Sequence, residues 1–76
     1  MTATGDHVDD LVEGVVTAFD EGRGRGVVTA DDGSAFAFHA TRLADGSRRV
    51  AVGARVRFAV VPALLGRWEA SDITRV

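Results

Sequence analysis

Hydrophobic residues in this chain come in short alternating runs of Val, Phe and Ala, with Gly, Asp and Ser gathered between them. A period of two, broken at regular intervals by turn formers, is the pattern of an all-β barrel or sandwich. Residues 13–19 predict a first strand and 24–30 a second, joined by Asp20-Glu21-Gly22-Arg23. Asp31-Asp32-Gly33-Ser34 is the clearest hairpin signal, because Asp and Gly adopt the positive φ of tight turns at little cost. A third strand over 35–39 sets Phe36 and Phe38 on one face and Ala37 and His39 on the other. A long loop over 40–53 follows, with its own turn at Asp45-Gly46-Ser47. In the fourth strand, 55–61, Val56, Phe58 and Val60 face in while Arg55, Arg57 and Ala59 face out. Pro62 cannot donate to a ladder and opens a short loop to Gly66, after which 67–74 predict a fifth strand. No helical period of useful length competes. A meander of three strands, a long loop and a closing hairpin together predict a five-stranded antiparallel OB-type barrel, whose closure removes exposed sheet edges.

The start of the chain does not share this rhythm. Residues 1–12 are small, polar and acidic and read as a flexible arm ahead of a domain at 13–76. A chain of 76 residues is one small domain, burying about 60% of its unfolded surface. Cysteine is absent, so neither disulfides nor thiolate ligands hold it together. There is no basic start leading into an apolar run, and no stretch approaches the roughly 20 apolar residues of a membrane span. The expectation is a soluble, cytoplasmic protein with no membrane association.

Charge changes the picture in one respect. The net charge of −2 is uneven: Asp6, Asp9, Asp10 and Glu13 lead the chain without an Arg, whereas 14–76 carries nine Arg against seven acids. A mildly basic body is compatible with nucleic acid, though without a strong basic stripe. All nine cations are Arg and none is Lys. Bidentate phosphate recognition explains that choice, and so does the codon bias that also enriches Ala, Gly, Val and Asp.

More specific is the run Gly14-Val15-Val16-Thr17-Ala18-Phe19-Asp20, followed by Arg23-Gly24-Arg25-Gly26-Val27-Val28-Thr29-Ala30-Asp31-Asp32-Gly33. It resembles the opening of the bacterial cold-shock domain family, G-x-V-K-W-F-N and then K-G-F-G-F-I-x-x-D-D-G. Phe36-Ala37-Phe38-His39 resembles the family's V-F-V-H-F, and Val52-Gly53-Ala54-Arg55-Val56-Arg57-Phe58 its E-G-x-x-V-x-F strand. The ending, Gly66-Arg67-Trp68-Glu69-Ala70-Ser71-Asp72-Ile73, resembles G-P-Q-A-x-N-V. The likeness runs in order from Gly14 to the last residue. It implies a cold-shock-like OB barrel that binds single-stranded RNA or DNA by stacking bases on exposed aromatics above a basic groove, with loose sequence preference.

The chain departs from that pattern at the stacking positions. Ala18 stands in the family's Trp slot, Arg25 and Val27 in the Phe slots of the first motif, and Ala37 and Ala40 in those of the second. Each base–aromatic stack contributes roughly 1–3 kcal/mol, so five losses would weaken binding by about three to four orders of magnitude without compensation. His39 and Phe19 remain expected on the binding face, Arg23 sits in the motif's Lys slot, and Arg25 can stack its guanidinium plane while pairing a phosphate. Trp68, beside Arg67 at the start of the fifth strand, reads either as a relocated platform or as partly buried packing.

Other constellations read more simply. His39 has only His7, in the arm, as a second imidazole, so no metal site is expected. Asp31 and Asp32 serve the turn rather than acid–base chemistry. Gly22, Gly24 and Gly26 precede no helix that could offer its N-terminus to a phosphate, so dinucleotide and P-loop readings fail. No nucleophile has a base and an orienting group nearby, so no catalytic residue, enzyme activity or cofactor is expected. Arg42, Arg48 and Arg49 either flank a groove or lie solvated, and the acidic arm either covers the basic body or is a solvated tail. Two functions follow. The first is a single-stranded nucleic-acid binder, an RNA chaperone or transcription-associated factor, contacting its ligand through Phe19, Arg23, Arg25, Val27, His39, Arg67 and Trp68. The alternative is a homodimer or a protein-interaction module using the small apolar patch of Ala18, Val27, Ala37 and Ala40.

Overall fold

Alternating Val and Phe residues can bury one face of a strand only if the sheet wraps around them, and in this chain it does. In a computed structural model that describes residues 11–76, five strands form: β1 (Leu11–Asp20), β2 (Arg25–Ala30), β3 (Ala35–His39), β4 (Arg55–Pro62) and β5 (Trp68–Arg75). The arm over 1–10, His7 included, lies outside the described residues. β1 begins two residues ahead of the expected Glu13, because Leu11 and Val12 pair with Ala59 and Phe58 of β4. β2 begins at Arg25, since Gly24 has a turn's positive φ of 66°. The long loop after β3 opens with a single 3-10 turn at Ala40–Arg42, and a second such turn, Leu64–Gly66, links β4 to β5. Among the described residues no helix is long and apolar enough to cross a membrane.

The strands close a barrel in the order β1-β2-β3-β5-β4. Four ladders are antiparallel, as expected, but β3 and β5 meet in parallel at Ala37 and Glu69. The one parallel contact in the expected antiparallel barrel has a topological reason. An odd number of strands cannot alternate direction all the way around a closed ring. A further parallel bridge, Leu43 to Ile73, ties the long loop to the same seam.

Val16, Val28, Phe38, Val56 and Phe58 fill the centre of the barrel and are fully buried, with Ala70 and Ile73 beside them and Leu43 and Val50 packed in from the long loop. Full burial of each such large side chain contributes about 1.5–3 kcal/mol. Phe36 meets Phe58 edge to face, with ring centroids 5.9 Å apart. Two bulges adjust the phase. In β1 the register slips between Val16 and Ala18, and in β5 two residues oppose Phe58, with Asp72 at φ 52°.

Two glycines make this packing feasible. A Cβ at Gly26 would lie 2.6 Å from the Phe38 ring and 2.7 Å from the Ala18 carbonyl, and one at Gly14 only 2.2 Å from the Thr29 carbonyl. Phe38 therefore occupies the space a side chain at position 26 would need. Gly26→Ala is expected to lower stability by roughly 1–3 kcal/mol through overpacking. Phe38→Ala is expected to cost roughly 3–5 kcal/mol through the cavity it leaves. Urea unfolding followed by Trp68 emission and circular dichroism measures both, and an unchanged midpoint for Gly26→Ala would contradict this packing.

Candidate functional site

Strand alternation sends the partners of the core residues outward, and the register arranges them in two rows. In one row Asp20 lies opposite Arg25, and Arg25 opposite His39. In the other, Ala18 lies opposite Val27, Val27 opposite Ala37, and Ala37 opposite Glu69. Arg67, just ahead of β5, lies outside the paired rows and joins Arg25, His39 and Glu69 only as lining of a groove. The second row is a shelf of small apolar side chains with a carboxylate at its end.

Two open grooves run along these rows. One, of about 410 Å³, has Ala18, Val27 and Ala37 on its floor, Phe19 and Phe38 at its base, and Arg23, Arg25, His39 and Glu69 around it. The other, of about 750 Å³, lies between Arg25, His39, Arg42, Leu65, Arg67 and Glu69. Leu65 stands 93% exposed at the tip of the β4–β5 connection, in the left-handed region at φ 63°. Arg48 joins Arg23 and His39 around a smaller adjoining hollow.

The arginines divide into two groups. Arg55 grips Asp31 with both guanidinium nitrogens, at 2.7 and 2.6 Å, and reaches Glu13 at 3.3 Å. Arg57 donates to the other oxygen of Glu13 at 3.0 Å. Arg49 pairs with Glu21 at 2.5 Å, Arg75 with Asp45, and Arg23 loosely with Asp20 at 3.8 Å. Among the described residues Arg25, Arg42, Arg48 and Arg67 form no ion pair. Arg42 makes only a long 3.5 Å contact to the Ser71 hydroxyl. Three of these four, Arg25, Arg42 and Arg67, line the same groove.

The paired arginines also hold their acids ionised. The Arg57 hydrogen bond, with help from Arg55, keeps the Glu13 carboxyl below the usual carboxylate range, and Arg55 does the same for Asp31. Backbone N–H groups of Ser34 and Ser47 lower Asp32 and Asp45. These two carboxylates are turn acceptors, as Asp-Gly turn chemistry predicts, receiving those N–H groups at 2.8 and 2.9 Å.

Of the residues singled out from sequence, Arg23, Arg25, Val27, His39 and Arg67 come together around the two grooves. Phe19 was expected on the outer face, but the β1 bulge spends its extra residue before Ala18 and turns Phe19 inward. Its ring stacks on Phe38 at 6.0 Å with planes 10° apart, leaving part of it to line the groove. Trp68 is 58% exposed, so it is not packing. It is also one residue out of phase with Arg67 and Glu69 and lines neither of these grooves. Ala40, expected in the outer apolar patch, is buried, its N–H donating to the Gly24 carbonyl at 2.7 Å. Arg42 and Arg48 flank the site, whereas Arg49 is engaged with Glu21. Glu69 and Leu65 were not singled out. Glu69 reaches the site only through the β3–β5 seam, which no local pattern announces.

No protein-family model matches this chain, and no curated protein matches it. Among solved structures, the Drosophila Unr CSD456 structure, a cold-shock domain protein, is similar over all of this chain, with a TM-score of 0.74 and 22% identity. The chain spans 31% of that protein's length. The fold is therefore that of a cold-shock-like OB barrel.

The ion pairs carry a pH dependence. Glu13 and Asp31 have folded-state values below their unfolded ones, so their contribution to stability is present above about pH 4, the unfolded range. It is lost as pH falls through the lower folded values, and Asp32 and Asp45 act in the same direction. The urea midpoint should stay level from neutral pH to about 5 and fall below about 4, and the double variant Glu13→Gln, Asp31→Asn should fall less steeply. Identical acid profiles for the two proteins would refute the assignment.

Proposed function

We propose that this chain binds single-stranded nucleic acid, RNA or DNA, across the outer face of β2, β3 and the start of β5. The observation that carries the reading is the convergence of Arg25, Arg42 and Arg67, none of them neutralised among the described residues, on one open groove around His39. Phosphates neutralised there release condensed counterions, which supplies affinity without sequence information. The shelf of Ala18, Val27 and Ala37 is flat enough for bases to lie on, and His39 and the guanidinium planes of Arg25 and Arg67 offer stacking surfaces. Arg23 stays within reach of a neighbouring phosphate because its pairing with Asp20 is loose.

The fold supports this reading in kind, since the similar solved structure is a cold-shock domain protein. On it, the chain is a divergent cytoplasmic member of the cold-shock family, acting on RNA as a chaperone or in transcription, with no catalytic step. With alanines and valine where aromatic rings would stack, ionic contacts carry a larger share of the affinity. The small apolar shelf also favours a second reading, a protein partner or a second copy of this chain seated on it.

Anisotropy of a labelled short oligouridine is the test. Three phosphate contacts at roughly 0.7 each predict a slope of log K against log salt of about −2. Arg25→Ala and Arg67→Ala should each weaken binding at low salt and reduce the slope by about 0.7, while Arg57→Ala, whose side chain is held by Glu13, should leave both unchanged. No binding at low salt, together with a concentration-dependent dimer in sedimentation, would replace this reading with the second.

A further inference from the structure

Glu69 is out of place in a phosphate-binding groove. It borders both grooves, is partly buried, and its carboxylate forms no ion pair or hydrogen bond among the described residues. The other acid lining the smaller groove, Asp20, is already engaged, accepting the Arg23 backbone N–H at 3.1 Å and lying 3.8 Å from its guanidinium. A carboxylate facing the path of a polyanion opposes binding unless the ligand brings hydrogen-bond donors to it. Phosphates and sugar ring oxygens cannot do so, and a ribose 2′-hydroxyl brings a single donor to a group with two acceptor oxygens. Base edges can.

The register says which part of a base Glu69 would meet. Ala18, Val27, Ala37 and Glu69 are successive cross-strand neighbours in one row. Adjacent strands are about 4.8 Å apart, so a ring lying over Val27 and Ala37 ends where the Glu69 carboxylate begins. The shelf takes the face of the base and the carboxylate takes its edge. A carboxylate has two acceptor oxygens and no donor when ionised. Guanine alone among the four RNA bases presents two adjacent donors on its Watson–Crick edge, the ring N1–H and the exocyclic amine. Cytosine and adenine present one amine beside a ring nitrogen acceptor. Uracil presents one N–H flanked by two carbonyls that repel a carboxylate.

Resting on the nucleic-acid reading above, we infer that Glu69 is a specificity-determining residue that selects an unpaired guanine over the shelf by bidentate pairing with its N1–H and amine. The small side chains of the shelf then have a use of their own. Alanine and valine leave room for a purine to lie down, where projecting aromatic rings would occupy the space. Arg25, in the other row, and Arg67, in the adjoining groove, remain free for the flanking phosphates.

The experiment compares labelled oligouridine with the same strand carrying one internal guanosine, inosine, adenosine or cytidine, at low salt. The wild-type protein should bind the guanosine strand about tenfold more tightly than oligouridine, and inosine, which keeps N1–H but lacks the amine, should lose most of that gain. Glu69→Gln, nearly the same shape, should erase the preference while binding oligouridine at least as well, because a negative charge has left the groove. An unchanged urea midpoint for the variant confirms that the fold is intact. A guanosine preference that survives in Glu69→Gln, or a wild-type protein that binds all five strands equally, overturns the inference and leaves the nucleic-acid reading standing. Failure of the wild-type protein to bind any strand overturns both.

Discussion

The arrangement of this small barrel depends on one packing constraint: the Phe38 ring lies where residue 26 has no side chain. With Phe38 held inward, strand alternation leaves β3 no choice about Ala37 and His39, which must point out. Pairing then carries the phase to β2, where Arg25 and Val27 point out beside them. The β1 bulge carries it to Ala18, and the parallel seam carries it to Glu69. One internal contact thus determines which side chains a ligand can meet. A one-residue slip would bury an arginine and expose a phenylalanine, so the register is strongly held.

Charge is distributed in keeping with that division. The protein is acidic overall, at −2, yet its arginines are not interchangeable. Arg55 and Arg57 are tied to Glu13 and Asp31 where β1, the β2–β3 hairpin and β4 meet. Isolated surface pairs contribute little, but here two arginines share one glutamate and one of them holds an aspartate bidentately, an arrangement that keeps their positive ends occupied. Arg25, Arg42 and Arg67 have no such partner among the described residues and face one groove. Net charge alone hides this, because it sums the engaged and the available cations.

Much of this was legible in the chain. The five strands, the Asp-Gly hairpin and the inward Val56 and Phe58 follow from period-two patterning and turn chemistry. Arg25, His39 and Val27 line the grooves, on short strands whose phase a few residues determine. What failed depends on non-local geometry. Phe19 turned inward because a bulge inserts one residue before it, and a run such as Val-Val-Thr-Ala-Phe gives no sign of where the extra residue falls. Ala40 is buried because the chain leaves β3 through a 3-10 turn instead of continuing extended. Trp68, open in sequence to a platform or a packing reading, is exposed and lines neither of the two grooves. Glu69 has no local signature in the sequence, because its position comes from a partner thirty-two positions earlier, Ala37, across a seam that forms only when the barrel closes.

On this reading, ligand meets the two outward rows and not the ion-paired side of the barrel. Titrating isotope-labelled protein with a short single-stranded oligonucleotide, and following the backbone amides by NMR, tests it directly. Perturbations should concentrate at Arg25, Val27, Ala37, His39 and Glu69, with Glu13, Arg55 and Arg57 unmoved. Perturbations centred on Glu13, Arg55 and Arg57, or none on the two rows at saturating ligand, would contradict it.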